Sequence, residues 1–96
     1  MHSLEITNGK IGAIASNIVN DELVEVLDNA IVVPGFIDEH IHGALGADAM
    51  DGNIEALKTM AKAVASEGTT TFLATTMTQS PENIKNALSA VKEYKE

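Results

Sequence analysis

Cysteine is absent from the 96 residues, which removes disulfides and thiolate metal sites from consideration and is what a cytoplasmic protein would show. Aromatic residues are nearly absent too: two phenylalanines, one tyrosine and no tryptophan leave no platform on which bases could stack. Proline occurs only twice, in keeping with a globular composition. No apolar run approaches the roughly 20 residues that span a bilayer. The start, Met1-His2-Ser3-Leu4-Glu5, has neither the basic nor the apolar region of a secretory signal. Positive charge is scarce, with 6 basic against 14 acidic residues and a net charge of −8. Such a chain is repelled by nucleic acid and by anionic membranes, so neither is expected as a partner. The late lysines Lys85, Lys92 and Lys95 interleave with Glu82, Glu93 and Glu96, the pattern of a solvated helix face.

What remains is a globular composition, 45% apolar and 21% charged, long enough for one modest domain. The first third reads as β-structure. Leu4 to Thr7 alternates apolar and polar, Asn8-Gly9 is a type I′ turn signal, and Lys10 to Ile14 forms the returning strand. Leu23 to Leu27 and Ala30 to Val33 form a second strand pair around Asp28-Asn29, and Pro34-Gly35 ends the pattern. Then the grammar changes. Phe36 to His42 is a compact strand, followed by a loop of small residues from Gly43 to Ala47. Asn53 or Asp51 caps a helix with a stripe of Ile54, Leu57, Ala61, Val64 and Ala65, which Gly68 ends at the C′ position. Thr69 to Met77 is β-branched and apolar at both parities, as in a parallel strand covered on both faces. Ser80-Pro81-Glu82 opens a second helix, with Ile84, Ala87, Leu88, Val91 and Tyr94 as its stripe. A small β-region followed by β-α-β-α implies an α/β fold with a parallel sheet.

Chemistry concentrates in Pro34-Gly35-Phe36-Ile37-Asp38-Glu39-His40-Ile41-His42-Gly43. Alternation along a strand puts Asp38, His40 and His42 on one face and Ile37, Glu39 and Ile41 on the other. Two imidazoles two residues apart can converge on one divalent cation, with Asp38 placed to orient a ligand. Neutral imidazole suits zinc, iron, nickel or copper, so the pair does not choose a metal. On its own, His-x-His in a strand is more often accidental than functional. Ending a strand between Pro-Gly and a crossover helix makes accident much less attractive, because α/β barrels place their sites at the C-terminal ends of parallel strands.

The string PGFIDEHIHG resembles the first-barrel-strand motif of the amidohydrolase superfamily, in which both histidines ligate the catalytic metal. Within it, GALGADAMDG and EGTTTFLATTMT are similar to the glycine-rich loop and second barrel strand of N-acetylglucosamine-6-phosphate deacetylases, and LEITNGKIGAI to the hairpin of their small β-sandwich. The resemblance implies residues 1–34 as part of a β-sandwich and 35–96 as the first two βα units of an incomplete (β/α)8 barrel. It implies His40 and His42 as metal ligands, with zinc, iron or a similar divalent metal as cofactor and an amino-sugar phosphate as substrate. Water activated at the metal would hydrolyse the acetamide, with a carboxylate from a later strand handling protons.

The chain departs from that pattern in length. A (β/α)8 barrel takes about 250 residues, and the further ligands and catalytic aspartate the resemblance implies belong to later strands; a strand ahead of the hairpin is also expected. As an isolated fragment the chain is therefore expected to be inactive, to hold metal weakly or not at all, and to self-associate through uncovered strands and helix faces. Two alternatives stay open: a non-catalytic, self-associating α/β module, or a fragment of another amidohydrolase. Other residues carry less. His2 reads as terminal and exposed; Asp48 and Asp51 read equally as mouth-lining residues or as local caps. The threonines between 69 and 78 reflect β-propensity, with substrate contact a minor reading for Thr75 to Thr78. Met50, Met60 and Met77 read as core.

Overall fold

The computed structural model describes residues 2–16, 18 and 29–95. The chain divides into two compact units, Met1–Val32 and Val33–Glu96.

The first unit is an antiparallel hairpin of β1 (Ser3–Thr7) and β2 (Lys10–Ala15). Asn8 and Gly9 turn it, both with positive φ (53° and 71°), the conformation a type I′ turn demands and the one Asn-Gly adopts at least cost. Register shifts between Leu4 and Ile6, and the amide of Ala13 there donates to the Glu5 carboxylate at 3.3 Å. Of the second expected strand pair, Leu23 to Leu27 lies outside the described residues. Ala30 to Val33 is not a strand: the segment is exposed and makes no ladder with any described neighbour.

The second unit is built on a parallel pair, β3 (Phe36–Ile41) and β6 (Thr69–Ala74), joined through helix α1 (Ile54–Ala65) and followed by helix α2 (Pro81–Lys95). Asn53 caps α1, its side-chain oxygen accepting from the Ala56 amide at 2.9 Å. The helix stops at Ser66, so Gly68 (φ 88°) stands two residues past the cap instead of one. Ser80 caps α2 by accepting from the Asn83 amide at 3.2 Å, and Pro81 fills the first helical position, where its missing N–H costs nothing.

Packing shifts the helix stripes. The core of this unit is Ala49, Leu57, Met60 and Ala90, joined by the partly buried Ile41, Ala44, Ala47, Phe72, Ala74 and Val91. In α1 the buried residues are Ala56, Leu57 and Met60, so the seam runs one side of the expected one and Ala65 is exposed. In α2 they are Ala87 and Ala90, while Leu88 is exposed. Small residues at the contact let the two helices approach closely. Met60 is fully buried as expected; Met77, half exposed, is not a core residue.

β6 was expected to reach Met77 and to be covered on both faces. It ends at Ala74, and one face is covered: Phe72 and Ala74 turn to the core, while the intervening Leu73 is 57% exposed. Both helices contribute to that same core, which leaves the opposite face of the sheet open. An apolar groove of about 770 Å³ runs beside β6, lined by residues including Leu57, Val64, Phe72, Val91 and Tyr94. Among the described residues no helix is long and apolar enough to cross a membrane.

Candidate metal centre

β3 positions the chemistry. Ile41 packs against the core, the register with β6 shifts between Asp38 and Ile41, and the exposed His40 sits within that irregular step, with His42 immediately past the strand end. Glu39, expected on the helix-facing side where a buried carboxylate would be costly, is exposed.

The two imidazoles meet. His40 Nε2 and His42 Nε2 lie 3.3 Å apart, with ring centroids separated by 5.0 Å and planes at 78°. Metal–nitrogen bonds of about 2.05 Å, spanning that separation, would meet at roughly 107°, close to tetrahedral. The pair therefore fits two positions of a zinc-like coordination shell. Among the described residues no group of three or more His, Asp or Glu side chains gathers to complete one.

Orientation comes from an unexpected place. Asp38 accepts from the His40 backbone amide at 3.0 Å, so this contact stiffens the strand rather than aiming a ring. The ring of His42 instead points Nδ1 at the backbone carbonyl of Thr75, 3.0 Å away, just past the end of β6. The Thr75 hydroxyl is turned back onto the Leu73 carbonyl at 3.1 Å. The group of Thr75 that touches a histidine is thus main chain and not side chain.

The segment after the histidines, expected as a loop, is a tight hairpin of β4 (Gly43–Ala44) and β5 (Ala47–Asp48). Leu45 and Gly46 form its turn with φ of 51° and 79°, so a left-handed leucine stands where asparagine would be easier. Gly43 is needed on steric grounds, since a Cβ there would collide with the Ala47 carbonyl oxygen. The hairpin is fastened to the site by the Ala49 amide, which donates to the His42 carbonyl at 2.8 Å. Asp48 and Asp51 then form a reciprocal cap on a short 3-10 turn, Ala49–Asp51. The Met50 amide donates to Asp48 at 2.7 Å and the Asp48 amide to Asp51 at 2.9 Å. Of their two expected roles, local capping is the one the structure displays.

Two histidine side chains thus meet at the end of a parallel strand that packs on a helix. Residues 31–95 match the amidohydrolase family, and the chain belongs to that family. Its relatives narrow the class further. It is 39% identical over 93 residues to an N-acetylglucosamine-6-phosphate deacetylase of Bacillus subtilis (strain 168), covering 94% of this chain and 24% of that protein. Identity is 47% over 75 residues with the enzyme of the same name from Lysinibacillus sphaericus, covering 76% and 19%. An N-acetylgalactosamine-6-phosphate deacetylase of Escherichia coli O157:H7 is 36% identical over 90 residues, covering 94% and 23%. The chain thus resembles N-acetylglucosamine-6-phosphate deacetylases over most of its own length while spanning about a quarter or less of theirs. These likenesses favour the hydrolase reading over a stand-alone, non-catalytic module.

Proposed function

We propose that this chain contributes His40 and His42 as two ligands of a divalent metal centre in an enzyme that removes the acetyl group from an N-acetylated amino-sugar phosphate. The observation that carries the reading is the 3.3 Å approach of the two Nε2 atoms at the C-terminal end of β3. A divalent cation held there would polarise the acetamide carbonyl and lower the pKa of water. The chain's own part is to hold two imidazoles on one side of β3 and to close the site's near edge with the β4–β5 hairpin. Iron or zinc fits an imidazole pair, and further ligands must come from outside the described residues.

The β1–β2 hairpin suits the edge of a small β-sandwich spanning residues 1–34. The β3–α1–β6–α2 order suits the first two βα units of a (β/α)8 barrel over residues 35–96. The open groove beside β6 and the uncovered sheet face support association of the isolated chain with further copies. A cytoplasmic setting accords with the lack of cysteine.

A chimera tests the function. These 96 residues replace the corresponding quarter of the Bacillus subtilis relative, and acetate release from N-acetylglucosamine 6-phosphate is followed. Turnover is expected from the chimera and not from the 96 residues alone, and His40→Asn with His42→Asn should lower it roughly 100-fold or more. Full activity in the doubly substituted chimera would refute the assignment.

A further inference from the structure

We infer that the main-chain carbonyl of Thr75 is a positioning group, which locks His42 in the Nδ1–H tautomer so that its Nε2 lone pair faces His40. The inference rests on the metal-centre reading and adds how β6, which supplies no ligand, prepares one.

A carbonyl oxygen can only accept a hydrogen bond, so the 3.0 Å contact between His42 Nδ1 and Thr75 O places the proton on Nδ1. In a neutral ring Nε2 is then bare, and it is the atom 3.3 Å from His40 Nε2. An unconstrained histidine side chain in water prefers the opposite tautomer, with its proton on Nε2, which would block ligation. One hydrogen bond of ordinary strength shifts a tautomer ratio by up to about tenfold.

The backbone explains why the carbonyl is free to do this. The Thr75 amide donates to the Ile41 carbonyl at 2.8 Å, continuing the parallel ladder one step past β6. A regular ladder would then return a bond from the amide of residue 43 to the Thr75 carbonyl. At Gly43, however, the chain leaves the ladder and folds into the β4–β5 hairpin, a path open to glycine because a Cβ would strike Ala47. The His42 ring takes the vacated position. One peptide group therefore grips β3 at two points, the Ile41 carbonyl and the His42 imidazole. Strand pairing and readiness of the ligand become a single event.

Long-range nitrogen–proton NMR correlations on the uniformly labelled, metal-free chain at pH 8 report the tautomer directly. The expected result is His42 predominantly as Nδ1–H, against the preference of the free side chain. In His40→Ala the tautomer should be retained; its loss would mean that His40, and not Thr75, sets the proton. A backbone ester between residues 75 and 76, which weakens the Thr75 carbonyl as an acceptor and alters no side chain, should move the ratio severalfold toward Nε2–H. An Nε2–H majority in the unmodified chain, or an ester chain with an unchanged ratio, would overturn the inference. The two readings fail separately. An inactive chimera with His42 locked would remove the deacetylase assignment alone, whereas an active, histidine-dependent chimera with an unlocked ring would remove the Thr75 role alone.

Discussion

The two faces of the β3–β6 sheet differ in almost everything that decides stability. One is sealed by Leu57, Met60 and Ala90, which pack on Ile41, Phe72 and Ala74. The other carries the exposed His40 and Leu73, with His42 just past the end of β3. The first face holds the unit together by removing apolar surface from water. The second contributes little to folding, and for that reason can carry imidazoles whose lone pairs are kept for another purpose. The histidines are affordable because the face they occupy has no core to disturb.

Substitutions sharpen the contrast, beginning with the largest expected effect. Met60→Ala removes a side chain with no exposure and should cost about 2–5 kcal/mol, enough to unfold a unit this small. Urea titration followed by circular dichroism checks it, and a loss below 1 kcal/mol would mean that the sealed face is not the seat of stability. Gly43→Ala sits between the two faces. Its Cβ would meet the Ala47 carbonyl, so the hairpin must open, at a cost of roughly 1–3 kcal/mol. Proton NMR of the Ala49 amide, which donates to His42, should show that bond weakened as well. Smallest is His40→Ala, expected to change stability by no more than about 0.5 kcal/mol in the same titration. A large loss there would assign the histidine face a structural role and dissolve the distinction.

Much of this was legible in the residues. Asn8-Gly9 announced its hairpin, Asn53 and Ser80-Pro81 announced both helix starts, and the two-residue spacing of His40 and His42 foretold their meeting, although β3 is irregular there and ends before His42. These features rest on local rules, and local rules survive ignorance of the rest of the fold. The helix stripes were less legible because Met60 and Ala90 are buried in a core shared by two particular helices, a tertiary fact. The β4–β5 hairpin carries little local signal because Leu45 stands at a left-handed turn position that leucine rarely takes. Asp38 was expected to orient a histidine, but a carboxylate two residues from an amide finds that amide first. The Thr75 carbonyl had no signal at all, since every residue carries one.

Both strands of the parallel pair have one laddered edge among the described residues, β3 and β6 each pairing with the other. On a chain with a net charge of −8, copies approaching through such edges repel one another. That repulsion reaches about 30 Å at 0.01 M salt and about 10 Å at 0.1 M. If copies of the isolated chain meet through these edges, light scattering is expected to rise as salt is added, because screening shortens the reach of their like charge.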